Sequence, residues 1–189
     1  IGMPYKSLPR ARIQGNLDGL CGVYAVVNSV RNLTPTRLDG DEERELFRQL
    51  IAKLGEERRL EDALCSGMTI QPLGRLIDAA SDFLGTRRGH RLCRQLAFRR
   101  APDGLQHFWK ATSTHLDEHG PGSVILGLGG RYDHWTCIGT MSENSITLID
   151  SDGIRRLNRN NCTISDVKGS RHHVLWPTQT YLLNADALP

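Results

Sequence analysis

"QGNLDGLCGVYAVVNSV", residues 14–30, runs from a polar, glycine-containing loop into an apolar stretch in which valine recurs at helical spacing. Val23, Val26, Val27 and Val30 fall on one stripe of a 3.6-residue helix, so the spacing predicts a largely buried helix over residues 20–33, despite its β-branched content. Cys21 stands in the first turn of that helix. The helix dipole and the unpaired backbone N–H groups there favour negative charge, a setting in which a thiol becomes a nucleophile. Buried cysteines are also common as small apolar side chains, so the position alone leaves both roles open.

Further along, Asp39 is placed to cap a second helix over residues 41–54, with Leu46, Phe47, Leu50, Ile51 and Leu54 on one face and acidic residues near its N-terminus. Thr69 is a candidate cap for a third. Pro72 fits its first turn, and Leu73, Leu76, Ile77 and Ala80 face inward. A fourth helix, about residues 103–118, carries Leu105, Phe108, Trp109 and Leu116. After Gly120 the texture changes to short β-branched runs, "SVILGL", "HWTCIGTM", "SITLIDS", "IRRLN" and "HVLWPTQTYLL", with "GGRYD" and "SDG" read as tight hairpin connections. Helices first and strands second imply an α+β fold. The expected arrangement is one domain over residues 1–189, with an N-terminal helical lobe (about 14–119) packed on a C-terminal antiparallel β-sheet (about 120–185).

With 189 residues, 24 Lys+Arg against 21 Asp+Glu and 39% hydrophobic residues, the chain has the composition of a folded globular protein. A net charge of +3 is too small to argue for nucleic-acid binding. No apolar run approaches the roughly 18 residues that span a bilayer, and no signal-peptide core is visible near the N-terminus. The expectation is therefore a soluble, cytoplasmic chain with no membrane partner. Five scattered cysteines without a C-x-x-C pair argue against a disulfide framework or a zinc site, and no cofactor is expected.

A thiol nucleophile needs a base, and the base an orienting group. Among the seven histidines, His134 opens a strand directly after a glycine-rich turn, where it can face a cleft while Trp135 and Cys137 point the other way. The next strand ends in Asp150, and an antiparallel hairpin sets the end of one strand beside the start of the other. Asp152 competes with Asp150 for the orienting role. His115 and His119 stand four apart on a helix without a third ligand nearby, and read as a solvated helix end. His172 and His173 lie in a basic turn before a strand, where adjacent residues point oppositely and form no joint site. The basic stretch 87–100 reads as an exposed strand or helix face, or as a surface for an acidic partner.

Cys21-Gly22 behind a glutamine-containing loop, His134-Trp135 and Asp150, in this order, resemble the papain-like cysteine peptidases, most of all the small bacterial peptidases similar to the bacteriocin-leader-cleaving type. The resemblance covers about residues 14–29 and 123–153. It implies a papain-like fold and a protein or peptide substrate cleaved through an acyl-enzyme on Cys21. His134 would then be the acid/base, Asp150 the orienter and Gln14 the oxyanion donor. Gln14 lies seven positions before Cys21, one more than is usual in the family, so Asn16 remains a second candidate donor. Acyl transfer, transglutamination or deamidation would use the same triad, and a silent protein-binding module would keep the fold without the chemistry. A free-standing processing enzyme, an effector delivered to another cell and a deconjugating peptidase all fit.

Overall fold

The computed structural model describes residues 8–15, 18–34, 36–118, 122–165 and 173–188. Its fold is α+β. The helices are α1 (Cys21–Leu33), α2 (Gly40–Glu56), α3 (Leu60–Ser66), α4 (Ile70–Arg88) and α5 (Leu105–Glu118). The strands are β1 (His90–Leu96), β2 (Ser123–Gly129), β3 (His134–Met141), β4 (Ser145–Ile149), β5 (Arg156–Asn158), β6 (Cys162–Thr163) and β7 (His173–Ala187). One sheet runs in the order β1-β7-β2-β3-β4-β5, antiparallel along that path, with β6 added to β7 in parallel.

Local chemistry sets the helix ends. Asp39 accepts from the Asp41 and Glu42 amides while the Glu42 side chain accepts from the Asp39 amide, which closes a capping box at the start of α2. Thr69 precedes α4 as expected, although its side chain makes no capping bond. Gly89, at φ 64°, turns the chain from α4 into β1.

Two cores flank the sheet. On one side α1, α2 and α4 bury Val23, Val30, Leu46, Leu50, Leu73 and Leu76 against Ile125, Trp135 and Tyr181 of the sheet. On the other, Phe108 and Trp109 of α5 pack on Val124, Leu126, Leu128, Ile138 and Leu175. Each fully buried side chain of this size contributes about 1.5–3 kcal/mol. Neighbouring residues of β2 thus enter opposite cores, and the whole strand is buried. A strand of that kind needs cover on both faces, which is why α5 leaves the helical group and crosses to the far side.

The sheet also takes β1 from the helix-rich half, so the division near residue 120 does not separate helices from strands. β1 is exposed along most of its length. Its edge is closed at Leu92, whose amide donates to Ser81 Oγ and whose carbonyl accepts from the same hydroxyl. Half of the six arginines in the basic stretch around it are paired: Arg87 with Glu45, Arg88 with Glu42 and Arg94 with Asp78. "SDG" does turn, at Ser151 and Asp152 with Gly153 at φ 83°, but the whole connection from β4 to β5 takes six residues, 150–155, and is longer than a tight hairpin. In β7 the pairing with β2 jumps from Thr180 to Trp176, extruding residues 177–179, with Thr180 Oγ1 donating to the Trp176 carbonyl across the gap. Pro177 supplies the reason, because an interior strand tolerates proline only where a bulge releases the missing N–H.

Candidate active site

Asp18 ties the residues flanking it before α1 together. Asp18 accepts from the Gly15 amide on Oδ2 and from the Leu20 amide on Oδ1, while Leu20 leaves the start of α1 without a side-chain cap. Cys21 is therefore the first helical residue, at an end where backbone N–H groups converge. A neighbouring wall presses close: the Gly19 amide donates to the Leu64 carbonyl at 2.7 Å, and a Cβ on Gly19 would stand 2.7 Å from the Ala63 carbonyl oxygen. Glycine is required there because α3 and the turn at Gly67 pack directly on the loop that presents the thiol.

His134 opens β3 and Asp150 follows β4, whose Ile149 pairs with Cys137. His134 Nε2 donates to Asp150 Oδ2 at 2.7 Å, both residues being buried. The other carboxylate oxygen accepts from the amides of Asp152 and Ile154, at 2.9 Å each, so backbone and imidazole together fix its orientation. Asp152 itself is exposed, and the orienting position belongs to Asp150. With Nε2 engaged, Nδ1 is the ring nitrogen left for a second partner; Cys21, whose Sγ–H donates to the Gly19 carbonyl at 3.8 Å, lines the same cavity and its side chain favours the charged imidazole.

Burial alone would lower the pKa of His134, yet the Asp150 hydrogen bond and the Cys21 side chain outweigh it and raise the imidazole to about 10. The same balance, with the sign of the shift reversed, holds at Asp150. Burial there favours the neutral acid, while His134 and the Ile154 amide prevail and keep the carboxyl below its usual range. Imidazolium and carboxylate are thus mutually stabilised.

Cys21, His134 and Trp135 line a cavity of about 390 Å³. Its other walls are the 59–69 segment, including Asp62 and Met68, and Trp176 and Gln179 at the β7 bulge. Trp135 enters the α1-side core while Leu128, paired with His134, and Ile138 enter the other, as strand alternation predicts. At the end of the sheet Trp135 nonetheless lines the same cavity as His134, donating Nε1–H to the Met68 carbonyl. Trp176 lies across Gly127 and Gly129: a Cβ on Gly129 would fall 2.3 Å from its ring. Neither Trp176, Gln179 nor Asp18 stands out in the sequence. The one available signal is Pro177 inside an otherwise regular strand.

Gln14 goes to the Asp150 turn. Its backbone amide donates to the Ser151 carbonyl, its Oε1 accepts from Ser151 Oγ and its Nε2 donates to the Asp18 carbonyl. It does not line the cavity, and Asn16 falls outside the described residues. His115 is no solvated helix end: it is buried, with Nε2 donating to the Leu183 carbonyl, because α5 turns that face onto the sheet. His119 and His172 also lie outside the described residues. His173 Nδ1 meets the Tyr132 hydroxyl at 2.8 Å.

All five cysteines are free thiols. Among the described residues no three metal-ligating side chains converge, and no helix is long and apolar enough to cross a membrane. Compared with known protein families, curated proteins and solved structures, the chain gives no match.

Proposed function

We propose that the chain is a papain-like thiol hydrolase that cleaves a peptide or isopeptide bond in a protein or peptide substrate. One observation carries the reading: His134, held by Asp150 through Nε2 and favoured in its charged form by the nearby Cys21 side chain, lines the same open cavity as Cys21, the first residue of α1.

The chemistry follows from those positions. His134, favoured in its charged form, holds the proton that Cys21 gives up, and Asp150 stabilises that imidazolium. Sulfur attacks the substrate carbonyl carbon, and the carbonyl oxygen takes the negative charge facing the N-terminus of α1, where amide donors and dipole favour it. The imidazolium then gives its proton to the leaving nitrogen as the C–N bond breaks, leaving a thioester on Cys21. Water, deprotonated by His134, attacks the thioester, and collapse releases the acid while the thiol regains its proton. Gln14 Nε2 carries a second hydrogen beyond the one given to Asp18.

A peptidyl vinyl sulfone mapped by mass spectrometry, together with a fluorogenic peptide library, tests the proposal. The expected result is one adduct, on Cys21, and turnover that disappears in Cys21→Ala while its circular dichroism and melting remain those of the parent. Hydrolysis that survives Cys21→Ala overturns it. Adding a primary amine and weighing the product separates hydrolysis from acyl transfer by the same triad.

A further inference from the structure

Thr136 sits two residues beyond His134 on β3. Cys137 is paired with Ile149, so the next rung of the same antiparallel ladder sets Thr136 opposite Asp150. The residue is 1% exposed, and its Oγ1 has no hydrogen-bond partner among the described residues. Leaving a hydroxyl buried and unpaired is costly, and the residue opposite it carries a charged acceptor. The carboxylate has room for another donor, since each of its oxygens holds two lone pairs and Oδ2 takes the bond from His134 while Oδ1 takes those from Asp152 and Ile154.

We propose that Thr136 is a positioning residue for Asp150, its hydroxyl donating to the carboxylate and holding Oδ2 on His134 Nε2. The Thr136 hydroxyl lies close enough to the Asp150 carboxylate to favour its charged form, which agrees with that geometry, although the two are not aligned as a full hydrogen bond. The titratable groups around Asp150 are His134 and Cys137 on β3 and, through His134, Cys21 on α1. The inference rests on the triad reading, because a positioned Asp150 matters to chemistry only if His134 serves Cys21.

Thr136→Val keeps the shape and removes the donor, and Thr136→Ser restores it. In Thr136→Val the rate of Cys21 alkylation or of peptide turnover should fall about tenfold, the worth of one hydrogen bond to a charged group. The acid limb of its pH profile should move upward, and Thr136→Ser should recover both. Carbon-13 NMR titration of the Asp150 carboxyl needs no activity: its midpoint should rise in the valine variant and return with serine. A valine variant with parental titration and parental rate overturns the proposal, as does a serine variant no better than valine. If the midpoint moves as expected but neither the parent nor any variant is alkylated at Cys21 or hydrolyses a peptide, the positioning stands and the hydrolase reading falls.

Discussion

Cys21 and Cys137 are both buried thiols, 6% and 0% exposed, and both belong to the packing between α1 and β3, yet their surroundings oppose one another. Cys137 lies in mid-strand. Burial pushes its thiol up to about 11, and the hydroxyls of Ser123 and Ser29 offset that only in part. Cys21 has what Cys137 lacks: a helix N-terminus, an imidazole favoured in its charged form and a cavity that admits a reagent. Burial removes water from both, and the neighbouring charge decides whether that makes a thiol inert or useful.

The largest expected effect beyond loss of Cys21 itself comes from its base. His134→Ala should lower turnover by about 10²–10⁴-fold, the usual contribution of a general acid–base group, measured on any substrate the parent cleaves. A loss under threefold would make Cys21 no different in kind from Cys137. Cys137→Ala should leave turnover unchanged and cost about 1 kcal/mol in urea unfolding, as a small core truncation does. Loss of activity without loss of stability in that variant would reverse the assignment of the two thiols.

The smallest effect is a pH dependence of stability. His134 is raised on folding, so its contribution is full below its unfolded value near 6.5 and is lost as pH rises through about 10. Asp150 is lowered, so its contribution is present above about 3.9 and is lost as pH falls through its lower native value. The unfolding free energies of the parent and of His134→Gln should therefore differ most near pH 6 and converge by about pH 10.5. A gap that widens with pH would mean that the imidazolium is not held in the fold.

Much of this arrangement could be read from residue types and spacing, because the signals are local. The valine stripe of α1, the Asp39 cap and the inward faces of α2 and α4 follow from periodicity within one element. Cys21, His134 and Asp150 follow from the ends of elements, where antiparallel pairing brings strand start and strand end together. What could not be read depends on contacts between distant segments. α3 has seven residues and one buried side chain, too few for a period, although it forms a wall of the cavity. The alternating charge of β1 fits an exposed helix as well as a strand, and only its seven-residue ladder to β7 decides. The side on which α5 packs, and with it the burial of His115, is set by the apolar second face of β2. Gln14 goes to Ser151 through a loop–loop contact 137 residues apart in sequence, which no local pattern encodes.

The most direct measurement is the pH dependence of iodoacetamide alkylation at each cysteine of the native protein, followed by peptide mapping. Cys21 should react well below pH 8, ahead of the exposed Cys65 and Cys93, while Cys137 and Cys162 stay protected. A Cys21 that reacts no faster than Cys65 across the whole range, or that is protected as Cys137 is, would contradict the account.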